Sequence, residues 1–245
     1  MEICLRRIVF AAFMSLNAGL ASAEARAVVE AVQRTILSSE LSGRVIELPK
    51  RAGESFSEGE AVARIGCSVY EAERDKVASR LKQAKRSSEN KRRLADLDSV
   101  GKLEVELAEL AVEEKSAELR IARLNTDRCQ IQAPFDGTVV KLHVSEYQSV
   151  QAQQKLLEIV GRRLQARVIV PAEWLSWLES GQAMNLDIEE TGTTVDGQIA
   201  RIGAAVDPVS HTVPVWVKLH NDGRELRPGM SGTARFPERP GGSAP

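Results

Sequence analysis

The chain has 245 residues, 33 Lys+Arg against 34 Asp+Glu, a net charge of -1, and is 43% hydrophobic and 27% charged. This is the composition of a folded chain, and the even charge balance removes the electrostatic motive for binding nucleic acid. Aromatic residues make up 4%, too few for a base-stacking platform, and three histidines with three cysteines leave little material for a metal centre.

At the N-terminus, Arg6 and Arg7 precede a mostly apolar run from Ile8 to Leu20, and Ala21-Ser22-Ala23 supplies small residues for a signal peptidase. Residues 1–23 read as an export signal, because the run is shorter than the roughly 20 residues a membrane-spanning helix needs. Cys4 lies inside this segment without a lipid-attachment sequence around it. An exported chain starting near Glu24 is expected.

An internal repeat organises the middle of the chain. Leu41-Ser-Gly-Arg-Val-Ile-Glu-Leu48 matches Phe135-Asp-Gly-Thr-Val-Val-Lys-Leu142 at an offset of 94, and the match continues through Val62 with Leu156 and Ile65 with Ile159. Each copy carries the turn glycine, short β run, polar turn and second β run of a small strand unit. In the first copy Gly53 and Gly59 punctuate the turns, whereas Tyr147 and Gln153 stand there in the second, so those turns are expected to do without easy positive φ. A β unit of about 30 residues buries too little apolar surface alone, so the two copies should pack as one module.

Between the copies, Val69 to Leu97 and Leu103 to Arg128 are free of Pro and Gly and rich in helix formers, and Asp98-Ser-Val-Gly-Lys102 forms a plausible turn. A helical hairpin is thus inserted into a split β-domain. In its second helix, Val100, Leu103, Leu107, Leu110, Glu114, Ala117, Ile121 and Leu124 follow heptad spacing and read as the seam. The first helix matches it poorly, since its register through Val77, Leu81 and Ala84 runs on into Ser88 and Lys91. Arms of this length would reach roughly 40 Å, and their charge density makes them project.

After Gly161 the pattern turns to β. Runs over Leu164 to Val170, Met184 to Ile188, Val195 to Ile202, Thr212 to Leu219 and Gly232 to Phe236 alternate with turn signals such as Asn221-Asp222-Gly223, and suggest a small barrel. A short helix over Ala172 to Leu178 interrupts them. Ala27 to Thr35 also has β character, and Pro237 to Pro245 reads as a tail.

In this order, Leu41 to Leu48 with Gly53, Gly59 and Tyr70-Glu71-Ala72, then Ile131-Gln-Ala-Pro-Phe-Asp-Gly137, then Val206 to Val213 and Leu226 to Met230 resemble the periplasmic adaptor family, the membrane fusion or HlyD-type proteins of tripartite efflux and secretion systems. The resemblance implies a mainly β fold with an inserted α-helical hairpin. Its parts are a split lipoyl-like (barrel-sandwich hybrid) domain over 37–66 and 130–161, an antiparallel coiled-coil hairpin over 67–129, and a β-barrel over 24–36 and 162–236. It further implies a periplasmic, non-catalytic protein that forms a homo-oligomeric ring and joins an inner-membrane transporter to an outer-membrane channel. A stand-alone periplasmic binding or scaffold protein built from the same modules is the alternative.

Many members carry at the hairpin tip an Arg, a Leu four residues on and a Ser seven further for channel docking. Arg93 and Leu97 match, Gly101 falls at the turn, and Glu104, bulkier and charged, stands at the serine position, so the resemblance implies a channel contact that is altered or absent. For Arg93 the plain alternative is a solvated helix face. With Glu24 to Arg26 before the first β run and a nine-residue tail after the last, the membrane-proximal domain of some members is not expected here.

Cys67 and Cys129 bracket the hairpin and should meet at its base, either as a disulfide permitted by export or as two separate buried thiols. His143, His211 and His220 have no ligand spacing, so neither a metal nor a cofactor is expected. Ser210-His211 lacks a nucleophile elbow, and Lys50 does not stand at a tight hairpin joining the two halves as a lipoyl-bearing lysine would. Trp174 and Trp177 lie three apart on the short helix, where they either pack the barrel mouth or contact a transporter or membrane.

Overall fold

The computed structural model describes residues 23–220 and 226–237. The expected export signal, apart from Ala23, the tail beyond Pro237 and the Asn221-Asp222-Gly223 turn lie outside these residues. The chain divides into two compact units, one of residues 31–164 and one of the residues up to Glu30 with those from Gln165 onward.

In chain order the strands and helices are β1 Ala23–Ala31, β2 Arg34–Ser38, β3 Gly43–Glu47, β4 Ser55–Phe56, β5 Ala61–Ile65, α1 Ser68–Ala95, α2 Lys102–Asp127, β6 Gln130–Gln132, β7 Gly137–Leu142, β8 Ser149–Val150, β9 Lys155–Gly161, β10 Leu164–Pro171, β11 Ala183–Ile188, β12 Thr193–Ile202, β13 Thr212–Leu219 and β14 Ser231–Phe236. The expected mainly β fold with an inserted helical hairpin is the one observed. The single β run expected from Ala27 to Thr35 is two strands in two different sheets. Arg34–Ser38 pairs with β9, so residues 34–36 belong with the sandwich rather than with the barrel.

The unit of residues 31–164 contains two four-stranded sheets, ordered β2-β9-β7-β4 and β6-β5-β3-β8. Each half of the repeat completes the other. Ser55 and Phe56 of the first half pair with Thr138 and Gly137 of the second, and Ser149 and Val150 of the second pair with Arg44 and Gly43 of the first. Backbone bonds obey the same exchange: Gly53 N–H donates to Val139 C=O while Tyr147 N–H donates to Val45 C=O, and Gly59 to Ala133 matches Gln153 to Ser39. Equivalent residues fill the core, with Val45, Val62 and Ile65 facing Val139, Leu156 and Ile159, all buried. Neither half can bury its apolar face alone, and the exchanged strands explain why 94 residues of separation cost the module nothing once it is closed.

The expectation about the second copy's turns is corrected. Tyr147 and Gln153 adopt φ of 66° and 67°, close to the 89° of Gly53 and 78° of Gly59. The exchanged hydrogen bonds require the left-handed conformation in both copies, and a non-glycine residue holds it at a cost of about 1–2 kcal/mol.

The hairpin helices begin and end close to the expected residues. Their facing surfaces differ from expectation. The seam read from the sequence of α2 points to solvent: Leu103, Leu107, Leu110, Ile121 and Leu124 are 52–66% exposed. The covered face is a second heptad series, Val105, Ala108, Val112, Lys115, Leu119 and Ala122, with Leu119 and Ala122 buried and the others half-buried. On α1 the poorer register is the inward one: Val77 and Ser88 are buried and Leu81, Ala84 and Lys91 half-buried. Small residues on both sides let two helices approach closely, and the phase of each helix is set where it leaves β5 and enters β6 at the base. Ion pairs across the hairpin from Lys91 to Glu104 and from Arg92 to Glu109, the latter at 2.6 Å, match this phase.

The other unit is a closed barrel ordered β1-β10-β13-β12-β11-β14. Alternate residues point inward along its strands, with Ala166, Val168 and Val170 of β10 and Val213, Val215 and Val217 of β13 fully buried. A short 3₁₀ turn, Ala172–Ser176, follows β10.

Candidate functional site

The sequence offers no catalytic constellation, and the residues it singles out gather at the hairpin tip, the hairpin base and the barrel's 3₁₀ turn. At the tip, α1 ends at Ala95 and the chain reverses through Asp98, whose φ of 52° makes the turn, to Gly101, the N-cap of α2. Leu97 sits in the turn and is 72% exposed. Arg93, in the last turn of α1, is exposed and pairs with Glu89 on its own helix. A Cβ on Gly101 would meet nothing within 4 Å, so no backbone crowding demands glycine there. Arg93, Leu97 and Gly101 therefore share one end of the hairpin, and the tip presents an apolar side chain beside a cation.

Glu104 does not stand free in this surface. Its carboxylate accepts from Lys91 Nζ, across the hairpin. The Glu104 charge is thus matched within the hairpin.

At the base, Cys67 and Cys129 are bonded, with Cα atoms 5.9 Å apart. Ile65 N–H donates to Cys129 C=O at 2.8 Å directly beside them, and Arg64 pairs with Gln130. The disulfide lies where the two helices leave the sandwich, and it closes a loop of 62 residues of separation. Cys129 is buried.

Along the hairpin, Lys115 stands on the covered face of α2. It is bonded to Glu118 at 2.8 Å and Glu114 at 3.0 Å, and these two carboxylates, Glu118 foremost, raise its pKa above the ordinary lysine value. A charged residue in an otherwise apolar series lowers stability while fixing the pairing register. Lys50 is held by Glu60 at 2.7 Å. Its ammonium, ahead of the Ser57 N–H, lowers the Glu60 pKa.

In the barrel, Trp174 and Trp177, the latter capping the 3₁₀ turn, meet with ring centroids 5.5 Å apart and planes tilted by 41°, since residues three apart eclipse each other in such a turn. Trp174 also meets buried Phe236 edge-on at 5.6 Å. Both indoles are half-buried, so each keeps part of its face in solvent. His211 takes φ of 52° in a turn built by Asp207. The Asp207 carboxylate accepts from the N–H groups of Ser210 and Val209, which hold its pKa below the ordinary value. Among the described residues no group of His, Cys, Asp or Glu could hold a metal ion.

Sequence reasoning missed the covered face of α2. A signal was present: Glu104, Glu109 and Glu118 flank Val105 to Ala122, as ion-pairing residues flank a buried heptad seam, and Lys91 and Arg92 of α1 answer two of them.

Comparison with known proteins covers nearly the whole chain. A CzcB-like barrel-sandwich hybrid domain model matches residues 33–161, over half of the sequence, and a CusB-like beta-barrel domain model matches residues 162–240. The nodulation protein NolF of Rhizobium meliloti is 27% identical over 216 residues, covering 81% of this chain and 59% of that protein. The chain therefore spans somewhat more than half the length of this relative. Among solved structures, a MacA-MexA chimeric protein containing the Pseudomonas aeruginosa MexA alpha-hairpin domain superposes with a TM-score of 0.76 at 21% identity, covering 88% of this chain and 80% of that one. MacA from Actinobacillus actinomycetemcomitans superposes with a TM-score of 0.67 at 18% identity, covering 88% and 78%. At these identities the structures establish the fold.

Proposed function

Because the chain belongs to the membrane fusion protein family, the periplasmic adaptors of efflux systems, we propose that it is a non-catalytic adaptor joining an inner-membrane transporter to an outer-membrane channel. The observation that carries this reading is the hairpin tip. It is an exposed Leu97 with an exposed Arg93 four residues before it, at the end of a rod about 40 Å long inserted between the two halves of the sandwich. An exposed apolar residue on a rigid support is a docking feature rather than a core residue. In this reading Arg93 and Leu97 touch the channel, while the disulfide keeps the rod's base from splaying. Export by the segment 1–23 brings the chain to the periplasm, where a disulfide persists. Trp174 and Trp177 offer a contact for the transporter or the membrane through their open faces.

The test is a photocrosslinking residue at Leu97 in the full chain, expressed in the cells that make it. A crosslink to an outer-membrane channel protein is expected, weakened when Arg93→Ala is added to the same probe-bearing chain while circular dichroism stays unchanged. No channel crosslink at Leu97 would favour the stand-alone scaffold instead.

A further inference from the structure

The base of the hairpin is tied in two ways. The last backbone pairs of the sandwich, Arg64 with Gln130 and Ile65 N–H to Cys129 C=O, already bring the ends of β5 and β6 together. The disulfide lies just beyond them, where the helices begin. Above it the two helices share little. No residue of 68–76 in α1 or of 123–128 in α2 is buried, and the first covered residues, Val77 and Ala122, lie about two to three turns up. The bond from Tyr70 Oη to Ser42 C=O at 3.3 Å and the pair of Arg128 with Glu40 at 3.0 Å are exposed, and such contacts add little. Over this stretch the disulfide is the clamp.

Its two sulfurs are not equivalent. A cleft of about 690 Å³ opens beside them, between exposed residues of β3 and β5 and the helix ends, lined by Ile46, Arg64, Glu71 and Asp127 with both cysteines. Cys67 is half-buried, whereas Cys129 is only 4% exposed. An incoming thiol therefore reaches Cys67, and Cys129 is the sulfur that must leave. Cys129 Sγ stands 3.5 Å from the Asn125 carbonyl oxygen in the last turn of α2, and the carbonyl end of a helix disfavours a thiolate. Arg64 is matched by Glu47 at 3.2 Å, so Glu71 and Asp127 give the cleft a negative character that repels small acidic thiols. A poor leaving group in an acidic cleft calls for a reagent held in place.

We infer that Cys67–Cys129 is an exchangeable disulfide, opened at Cys67 by a dithiol protein of the thiol–disulfide oxidoreductase class seated in this cleft, and that opening it frees the base of the rod. The inference goes beyond the adaptor reading and stands on the hairpin base alone. A thiolate of the partner attacks Cys67 Sγ and forms an intermolecular disulfide, while Cys129 leaves and takes a proton. The partner's second thiolate then breaks that bond and Cys67 leaves as a thiol. The partner departs as a disulfide, having given two electrons to the pair. The β5–β6 ladder needs no disulfide, so the sandwich stays closed while residues 68–76 and 123–128 lose their clamp.

The oxidised full chain, incubated under native conditions with reduced thioredoxin or with reduced glutathione at equal thiol concentration, tests this. Opening, read by peptide mapping as maleimide labelling of Cys67 and Cys129, should be at least about tenfold faster with the dithiol protein. A thioredoxin without its second cysteine should be trapped on Cys67. Hydrogen exchange of peptides covering 68–76 and 123–128 should quicken about tenfold on reduction, and equally in Cys67→Ser/Cys129→Ser, while β7 and β9 keep their protection. Equal rates with glutathione, trapping on Cys129, or resistance to the dithiol protein overturns the inference. Unchanged exchange at the base overturns it as well, and so does loss of protection in β7 and β9, which would make the disulfide a support of the whole sandwich. The Leu97 crosslink is read on oxidised protein, so its failure rejects the adaptor reading and leaves this one standing.

Discussion

The sandwich and the hairpin are made of similar amounts of chain and use apolar residues in opposite ways. In the sandwich the repeat positions Val45, Val62, Ile65, Val139, Leu156 and Ile159 are buried, because each half supplies the strands the other lacks, while Ile46 and Val140 on the opposite strand face are exposed. In the hairpin most of the larger aliphatic residues of α2, Leu103, Leu107, Leu110, Ile121 and Leu124, face water, and Leu119 alone of its leucines is buried, among the smaller residues of the face toward α1. The difference teaches that a periodic apolar pattern reports a helix face that wants a partner. It does not report which partner, and the face covered within the chain can be the weaker of two.

The largest expected effect strikes the symmetry of the sandwich. A Cβ on Gly137 would lie 2.2 Å from Val160 carbonyl oxygen, while one on the equivalent Gly43 would lie 2.5 Å from a methyl of Ile65. Gly137→Ala must shift backbone and is expected to cost about 4 kcal/mol, against about 2 kcal/mol for Gly43→Ala, where a side chain can yield. Urea titration of both variants checks this, and equal losses would mean that the two halves tolerate the change alike.

Next comes the joint between the regions. Cys67→Ser should cost about 2–4 kcal/mol, the usual loss for a native disulfide closing a long loop. Proteolysis should then cut the base of α1 and α2 before it cuts the sandwich. Unaltered stability with the disulfide gone would detach the hairpin base from the fold's energetics.

A smaller contrast lies within α2 itself. Leu119→Ala, on the covered face and 6% exposed, should lose about 2–3 kcal/mol of monomer stability. Leu107→Ala on the open face should change it by less than about 0.5 kcal/mol. Thermal melts of dilute protein decide this, and a larger loss at Leu107 would reverse the assignment of the two faces.

The smallest effect is a gain. Gln153 is exposed and held at φ of 67°, so Gln153→Gly should stabilise by about 0.5–1 kcal/mol, relief of strain outweighing the added backbone freedom. A loss on chemical denaturation would show that the side chain contributes more than its backbone conformation costs.

Much of the architecture could be read before any coordinates. The repeat at offset 94 announced a module of two halves, the breaker-free segments announced the helices, and turn residues punctuated the barrel strands within a few residues of where they lie. The tip residues Arg93, Leu97 and Gly101 came from the resemblance to the adaptor family, since exposed residues leave no local pattern that marks a docking role. The pairing of Cys67 with Cys129 could be raised but not chosen over two separate thiols, since that depends on Cα atoms coming within 5.9 Å. Tyr147 and Gln153 misled because residue preference points away from positive φ, while the exchanged hydrogen bonds demand it.

Local chemistry determined which segments of this chain became helices, strands and turns, since each depends on spacing and propensity within a few residues. The rotation of α2, the union of β2 with β9 and the meeting of the two cysteines were decided by contacts between residues far apart in sequence. Those contacts carry most of the burial energy, so where a local pattern and a distant contact disagree, the distant contact sets the outcome.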